Sequence, residues 1–217
     1  MGCKTIRTNH FSAIGIGALI IFIAMVLVAG IAASVLVQTS TRLEMQSLKT
    51  GQQTITETST GLTVYGVEGF NDSGTIKKLA IEVTPKAGSP AIDLQNTIIE
   101  ISDGSEKHIL IFGGTEQYIN SSGINGDLET NGKYGGTTSF GITVLQDADG
   151  SCKASTPIIG YGDHVILGIS TADVFSSNAG LLPRTDLDGL IIIEEGAPGI
   201  IGFTTPSSYT DDIIELQ

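Results

Sequence analysis

Two short acidic stretches hold the residues best suited to ion chemistry. In "DADG", Asp147 and Asp149 stand one residue apart before a glycine, and "DLDG" repeats the arrangement with Asp186 and Asp188. Hard cations such as calcium require several oxygen ligands, and alternate carboxylates in a loop supply two or three of them. Neither stretch continues into a full twelve-residue calcium loop, which ends on a glutamate. Both are therefore read first as turns and second as weak metal candidates. Organic cofactors are not expected, and the only cofactor the residues leave open is a structural divalent cation.

Other chemistry finds little support. Of the three histidines, His10 precedes the first apolar run, while His108 and His164 each sit beside a strand-like stretch and are read as structural or surface residues. The chain carries no G-x-S-x-G, H-E-x-x-H, Walker loop or paired-cysteine motif. "GGTE" and "YGGTT" lack the lysine and helix that a phosphate cradle needs, so they are read as turns. The chain is not expected to be an enzyme. Cys3 and Cys152 are the two thiols, and Cys152 is read as a small buried apolar residue. "NDS" at Asn71 and "NSS" at Asn120 are sequons, each implying a surface loop if it carries glycan.

The elements that must position these residues are mostly strands. After about Ser59, β-rich runs such as "LTVYGV", "IKKLAIEVTP", "AIDLQNTIIEIS", "KHILIFG" and "TTSFGITVL" alternate with Gly, Pro, Asn, Asp and Ser clusters. "HVILGIS", "GLIIIEE", "GIIGFTTP" and "DIIEL" continue the series. The pattern predicts an all-β sandwich head, with immunoglobulin-like topology as its usual form. "GGTEQYINSSGINGDLETNGKYGGTTS" is the longest loop-like stretch. The 217 residues carry a formal charge of -12, with 28 glycines and no tryptophan. Residues 1–59 hold four bases and two acids, so the rest holds seven against 21, or -14. Such a surface repels phosphates, which argues against a nucleic-acid partner.

The N-terminal segment is of a different kind. From Ala13 to Val37 no residue is charged, and 25 positions at 1.5 Å each make about 37 Å of helix, enough to cross a bilayer. A short basic stretch with Lys4 and Arg7 precedes the run, and no turn-rich break follows it. Helix-compatible residues continue to the Gly51 region, which predicts one continuous helix of about 40 residues. A helix apolar on all sides needs lipid or apolar protein around it. Small residues, among them Gly15, Gly17, Ala24, Gly30 and Ala33, permit close helix–helix approach. On these residues alone, a single-pass anchor and a helix packed among other helices both stand.

"AIGIGALIIFIAMVLVAGIAASVL" closely resembles the N-terminal helix of archaeal flagellins, or archaellins. "LTVYGVEGF", "IEVTPKAGSPAIDLQNTIIEISDG" and "LLPRTDLDGLIIIEEGAPGIIGFTTPSSYTDDIIELQ" resemble further blocks of that family in the same order. The resemblance covers most of the chain and is loosest between about Gly113 and Asp149. It implies a leader over residues 1–12, cut between Ser12 and Ala13 by a prepilin-peptidase-like membrane protease. His10, Phe11 and Ser12 stand where the family usually has basic residues and then glycine. Residues 13–58 would then form a helix held in the cytoplasmic membrane and later in the core of an extracellular filament.

The residues implied in that core packing are Ile14, Ile16, Leu19, Ile20, Phe22 and Ile23, followed by Met25, Val26, Leu27, Val28, Ile31, Val35 and Leu36. Residues 59–217 would form the outer head, giving an α+β chain with a long apolar helix and a β-sandwich. The implied function is a structural subunit of the archaellum, a rotating propeller for swimming, with adhesion as an added use. Implied partners are copies of itself or related archaellins, the leader protease, and the membrane assembly platform and motor. The resemblance also implies glycan at Asn71 and Asn120, and a metal site of the kind some relatives carry. A type IV pilin-like adhesive fibre and a membrane-anchored β-sandwich binding protein are the competing readings.

Overall fold

The computed structural model describes residues 10–176 and 179–217, the first four of them as backbone only. Cys3, Lys4 and Arg7 lie outside the described residues. The chain divides into two units, residues 1–53 and 54–217.

Helix α1 (His10–Ser59) runs for 50 residues, longer than the roughly 40 read from the residues alone and ending one residue past the 58 that the resemblance implied. No proline occurs before Pro85, so nothing removes a backbone donor along its course. Gly51 does not end it: a lone glycine costs about 1 kcal/mol in a helix, and the helix formers beside it absorb that cost. In its polar third, Thr39, Thr41 and Thr58 hydroxyls donate to the carbonyls of Leu36, Val37 and Thr54, at 2.9, 3.0 and 2.8 Å. Each hydroxyl thereby shares a carbonyl of the preceding turn and is satisfied within the helix itself. The helix closes with Thr60 N–H on the Thr56 carbonyl, and Ala197 N–H then takes the Thr60 carbonyl at 2.9 Å.

In the second unit, β1 (Leu62–Asp72) and β2 (Thr75–Pro85) form a long hairpin. Its turn places Ser73 and Gly74 at φ 60° and 86°, the paired left-handed conformation of tight hairpin turns. There follow β3 (Ile92–Asp93), β4 (Ile98–Ser102), β5 (Lys107–Phe112) and β6 (Tyr118–Ile119). Next come α2 (Leu128–Asn131), β7 (Ser139–Gln146), β8 (Cys152–Lys153) and β9 (Thr156–Ile159). The chain ends with β10 (His164–Ser170), α3 (Thr171–Val174), β11 (Asp186–Ile192), β12 (Gly199–Thr204) and β13 (Ile213–Glu215).

Ten strands make one curled sheet in the order β12-β11-β4-β5-β7-β10-β2-β1-β13, with β6 beside β7. A parallel pairing of β5 with β7 joins its halves. The all-β head is as expected, but this continuous order does not confirm the immunoglobulin-like detail. Strands β3, β9 and β8 form a separate small sheet. The run read as one strand over 91–102 is two, because Asp93 makes a turn: its Oδ1 accepts from Gln95 N–H at 2.8 Å.

Inward residues of both halves share one core. Ile99, Ile101, Leu110 and Ile201 from one half meet Val67, Ile81, Ile142 and Leu167 from the other. Strands β7 and β10 are buried on both faces, because residues 113–138 strap over their outer side. Lys133 N–H donates to Thr143 Oγ1 at 3.0 Å, and Tyr134 stacks edge-on to Phe70 at 5.8 Å. The strap lies so close that a Cβ on Gly168 would fall 2.1 Å from the Lys133 carbonyl oxygen. The stretch read as a loop is thus ordered by its own contacts, with α2 and β6 inside it.

Candidate functional site

The most unusual surface is that of α1. From Ile14 to Gln53 no side chain is buried, although the helix is long and apolar enough to cross a membrane. All thirteen residues expected in core packing stand between 50% and 70% exposed, and Ile21 and Val37, which that reading left out, are equally bare. Because successive positions turn by 100°, such a run surrounds the helix instead of forming a stripe. Covering each of these side chains contributes roughly 1–2 kcal/mol, and the set on the order of 20 kcal/mol. Water is therefore a poor environment for this helix. Ser12 and Ala13 lie within its first turn.

The head gathers one acidic group. Among the described residues, Asp147, Asp149 and Asp163 place carboxylate oxygens within 4.8 Å of one another. Asp147 follows the end of β7, Asp149 tips the next turn, and Asp163 precedes β10. Asp163 is 1% exposed, and its two oxygens accept from Ala148 N–H at 2.8 Å and Gly160 N–H at 2.7 Å. Asp147 accepts from Gly150 and Cys152 N–H, and Asp149 from Ser151 N–H at 2.9 Å. That bonding to Ser151 holds the Asp149 carboxyl below its ordinary value.

Each oxygen keeps a spare lone pair. A side chain at Gly160 would stand 3.7 and 3.8 Å from the Asp163 and Asp149 oxygens, so the glycine leaves their approach open. No ion pair among the described residues involves the three. Three oxygen donors with no protein cation beside them suit a hard divalent ion.

The second acidic pair behaves otherwise. Asp186 and Asp188 lie in β11 and not in a turn, with Leu187 buried between them. Asp186 Oδ1 accepts from the Thr204 hydroxyl at 2.6 Å. Neither belongs to the carboxylate group. Asp163 was missed because nothing in "GYGDHV" marks it, and only the fold brings it to the DADG turn.

The remaining candidates have ordinary surroundings. His108 Nε2 is 3.3 Å from Glu106 and its ring meets Phe175 edge-on at 5.3 Å. His164 Nδ1 is 3.3 Å from Glu82, with Tyr65 edge-on at 6.0 Å. Cys152 is buried, and burial pushes its thiol up to about 12. The sequons differ. Asn71 is half-buried at the hairpin end, with its Nδ2 donating to the Asp211 carbonyl at 3.2 Å. Asn120 is exposed, and its Oδ1 caps a short turn by accepting from Gly123 N–H.

Comparison with known proteins agrees with this architecture. The family model for archaeal-type flagellin matches residues 12–203. The chain is 45% identical to flagellin B2 of Methanocaldococcus jannaschii over 216 residues, covering 94% of each chain. It is 40% identical to flagellin B1 of Methanococcus voltae, covering the whole of both. The crystal structure of archaeal flagellin FlaB1 from Methanocaldococcus jannaschii is similar at a TM-score of 0.61 and 37% identity, covering 73% of this chain and 97% of that one. The archaeal flagellum of Methanospirillum hungatei strain JF1 shares the fold over 92% of this chain and 98% of its own, at a TM-score of 0.64 and 15% identity. An apolar helix bare on every side, a curled β head and a family match across most of its length agree: the chain belongs to the archaeal-type flagellins.

Proposed function

We propose that this chain is a structural subunit of the archaellum filament, which a motor at its base turns as a propeller for swimming. The observation that carries the reading is the exposed surface of α1. In the bilayer, lipid covers it while subunits wait. In the filament, other copies cover it, so little of it meets water at either stage. Leader removal between Ser12 and Ala13 by a prepilin-peptidase-like protease deletes Lys4 and Arg7, whose charges would be costly inside an apolar core. Subunits then pass from the cytoplasmic membrane, through the assembly platform, to an extracellular polymer of this chain with itself or related flagellins. Growth of such a filament needs a head-to-tail contact that does not close into a ring. No catalytic step enters this role, and adhesion is an added use of the same fibre.

Two head features join the proposal. Asp147, Asp149 and Asp163 hold a structural divalent cation that ties the β7–β8 turn to the start of β10. Glycan is attached at Asn120 in preference to Asn71, whose amide nitrogen is already engaged. Family membership favours the rotating filament over a stationary pilin-like fibre or an anchored binding protein. Deletion of the gene and imaging of the cells tests this: loss of surface filaments and of swimming is expected. Cells that keep both, while losing only attachment, would overturn it.

A further inference from the structure

On the outer face of the four strands β12, β11, β4 and β5, two adjacent rows are apolar where an exposed antiparallel face ordinarily turns polar to water, while Asp188 and Lys107 lie in the next row. Registers put Ile192, Ile98 and Ile111 side by side in one row. The next row reads Ile200, Leu190, Glu100 and Ile109. Ile109, Ile111 and Ile200 are 59%, 56% and 67% exposed, with Ile98 and Ile192 at 37% and 40%. Glu100, the one charge within the two rows, is paired with Lys107. We infer that this face is a head–head contact, covered in the filament by the head of a second copy of this chain.

Two arguments select that occupant. Residues 60–217 carry a large acidic excess, so two heads repel wherever their charged surfaces meet, and these two rows, without net charge, let the acidic surface of a neighbouring head approach without that cost. The five isoleucines offer on the order of 400 Å² of apolar surface, within the range of functional patches. That is about half of the ~800 Å² per partner that a stable soluble complex buries. Such a face does not hold two free chains together. It closes only where copies are already tethered, as α1 tethers them in a filament, because tethering makes the second contact intramolecular. The contact rests on the filament reading and adds to it the surface that sets head packing. Like any growing helical contact, it is heterologous, so the covering head presents a different part of its surface.

The test uses the full chain in its own cells. Ile200→Cys and Ile109→Cys filaments are sheared off and treated with a bulky, membrane-impermeant maleimide, with Tyr161→Cys, 83% exposed and off the face, as reference. Cys152 is buried and contributes little background. The contact predicts labelling at 109 and 200 slower by about tenfold or more in filaments than in dissociated subunits, with the Tyr161→Cys reference labelled comparably in both. A photoreactive maleimide attached at 200 before assembly is expected to cross-link to a peptide from the head of another copy. Equal labelling in filament and subunit overturns the contact, as does cross-linking to a different protein. Ile200→Glu should also lower filament yield, while Tyr161→Glu leaves it unchanged. If the unmodified strain sheds no filament containing this chain, the filament reading itself fails; if it does and position 200 stays reactive, only the head contact fails.

Discussion

Placing a carboxylate on α1 tests the logic of the helix quantitatively. In Leu27→Asp, a side chain 61% exposed in the single chain is replaced by an anion midway along the apolar run. Exchanging leucine for aspartate at the centre of a membrane span costs about 3 kcal/mol, on the order of a hundredfold in the inserted fraction. A second cost follows at assembly, where the carboxylate would be buried among apolar neighbours without a partner. Met25→Asp has the same cost from almost the opposite side, since two residues turn the helix by 200°. Thr41→Asp, in the polar third, serves as the control. Filament mass in sheared fractions is measured beside membrane-bound subunit. Both apolar-zone variants should leave almost no filament, and Thr41→Asp should assemble. If Leu27→Asp assembles normally while Met25→Asp does not, the helix is buried along one stripe only. If both assemble normally, α1 is not a core element at all.

Four further outcomes follow from the head. Asn120→Gln should remove a glycan mass from the mature subunit and Asn71→Gln should not, as read by intact-mass spectrometry. Chelation should lower the melting temperature of the unmodified subunit but not of Asp163→Asn, and calcium should restore it; at a hundred times its dissociation constant a bound ion adds about 2.7 kcal/mol. Asp149 has a folded value lowered from 3.8, so its contribution is present above that pH and is lost as pH falls through the lowered value, and protons compete with the ion for the same oxygens. Gly168→Ala drives a methyl toward the Lys133 carbonyl and should cost about 1–3 kcal/mol in thermal unfolding, with raised proteolysis within residues 113–138.

The helix was legible because an uninterrupted apolar run has few physical outcomes; the residues alone carried it only to the Gly51 region, while the family resemblance carried it to 58, one residue short of its end at Ser59. The longer strands were legible from period and punctuation. Strands β6, β8 and β9 were not, since two to four residues give no periodicity, and their pairing comes from the fold. "DLDG" resembled a turn, yet the burial of Leu187 and Gly189, alternating with the exposed Asp186 and Asp188, is strand alternation. The strap left one trace, the unbroken apolar run of β10, which a strand needs only when both its faces are covered. Asp163 left none: its carboxylate meets Asp147 and Asp149 only because β7 and β10 are neighbours in the sheet.

The most direct test of the account is the N-terminal mass of this polypeptide in filaments sheared from cells. A chain beginning at Ala13 in that fraction is the predicted result, since it joins leader removal to incorporation in the polymer. A chain still beginning at Met1 or Gly2, found with membranes and absent from the sheared fibre, would contradict it.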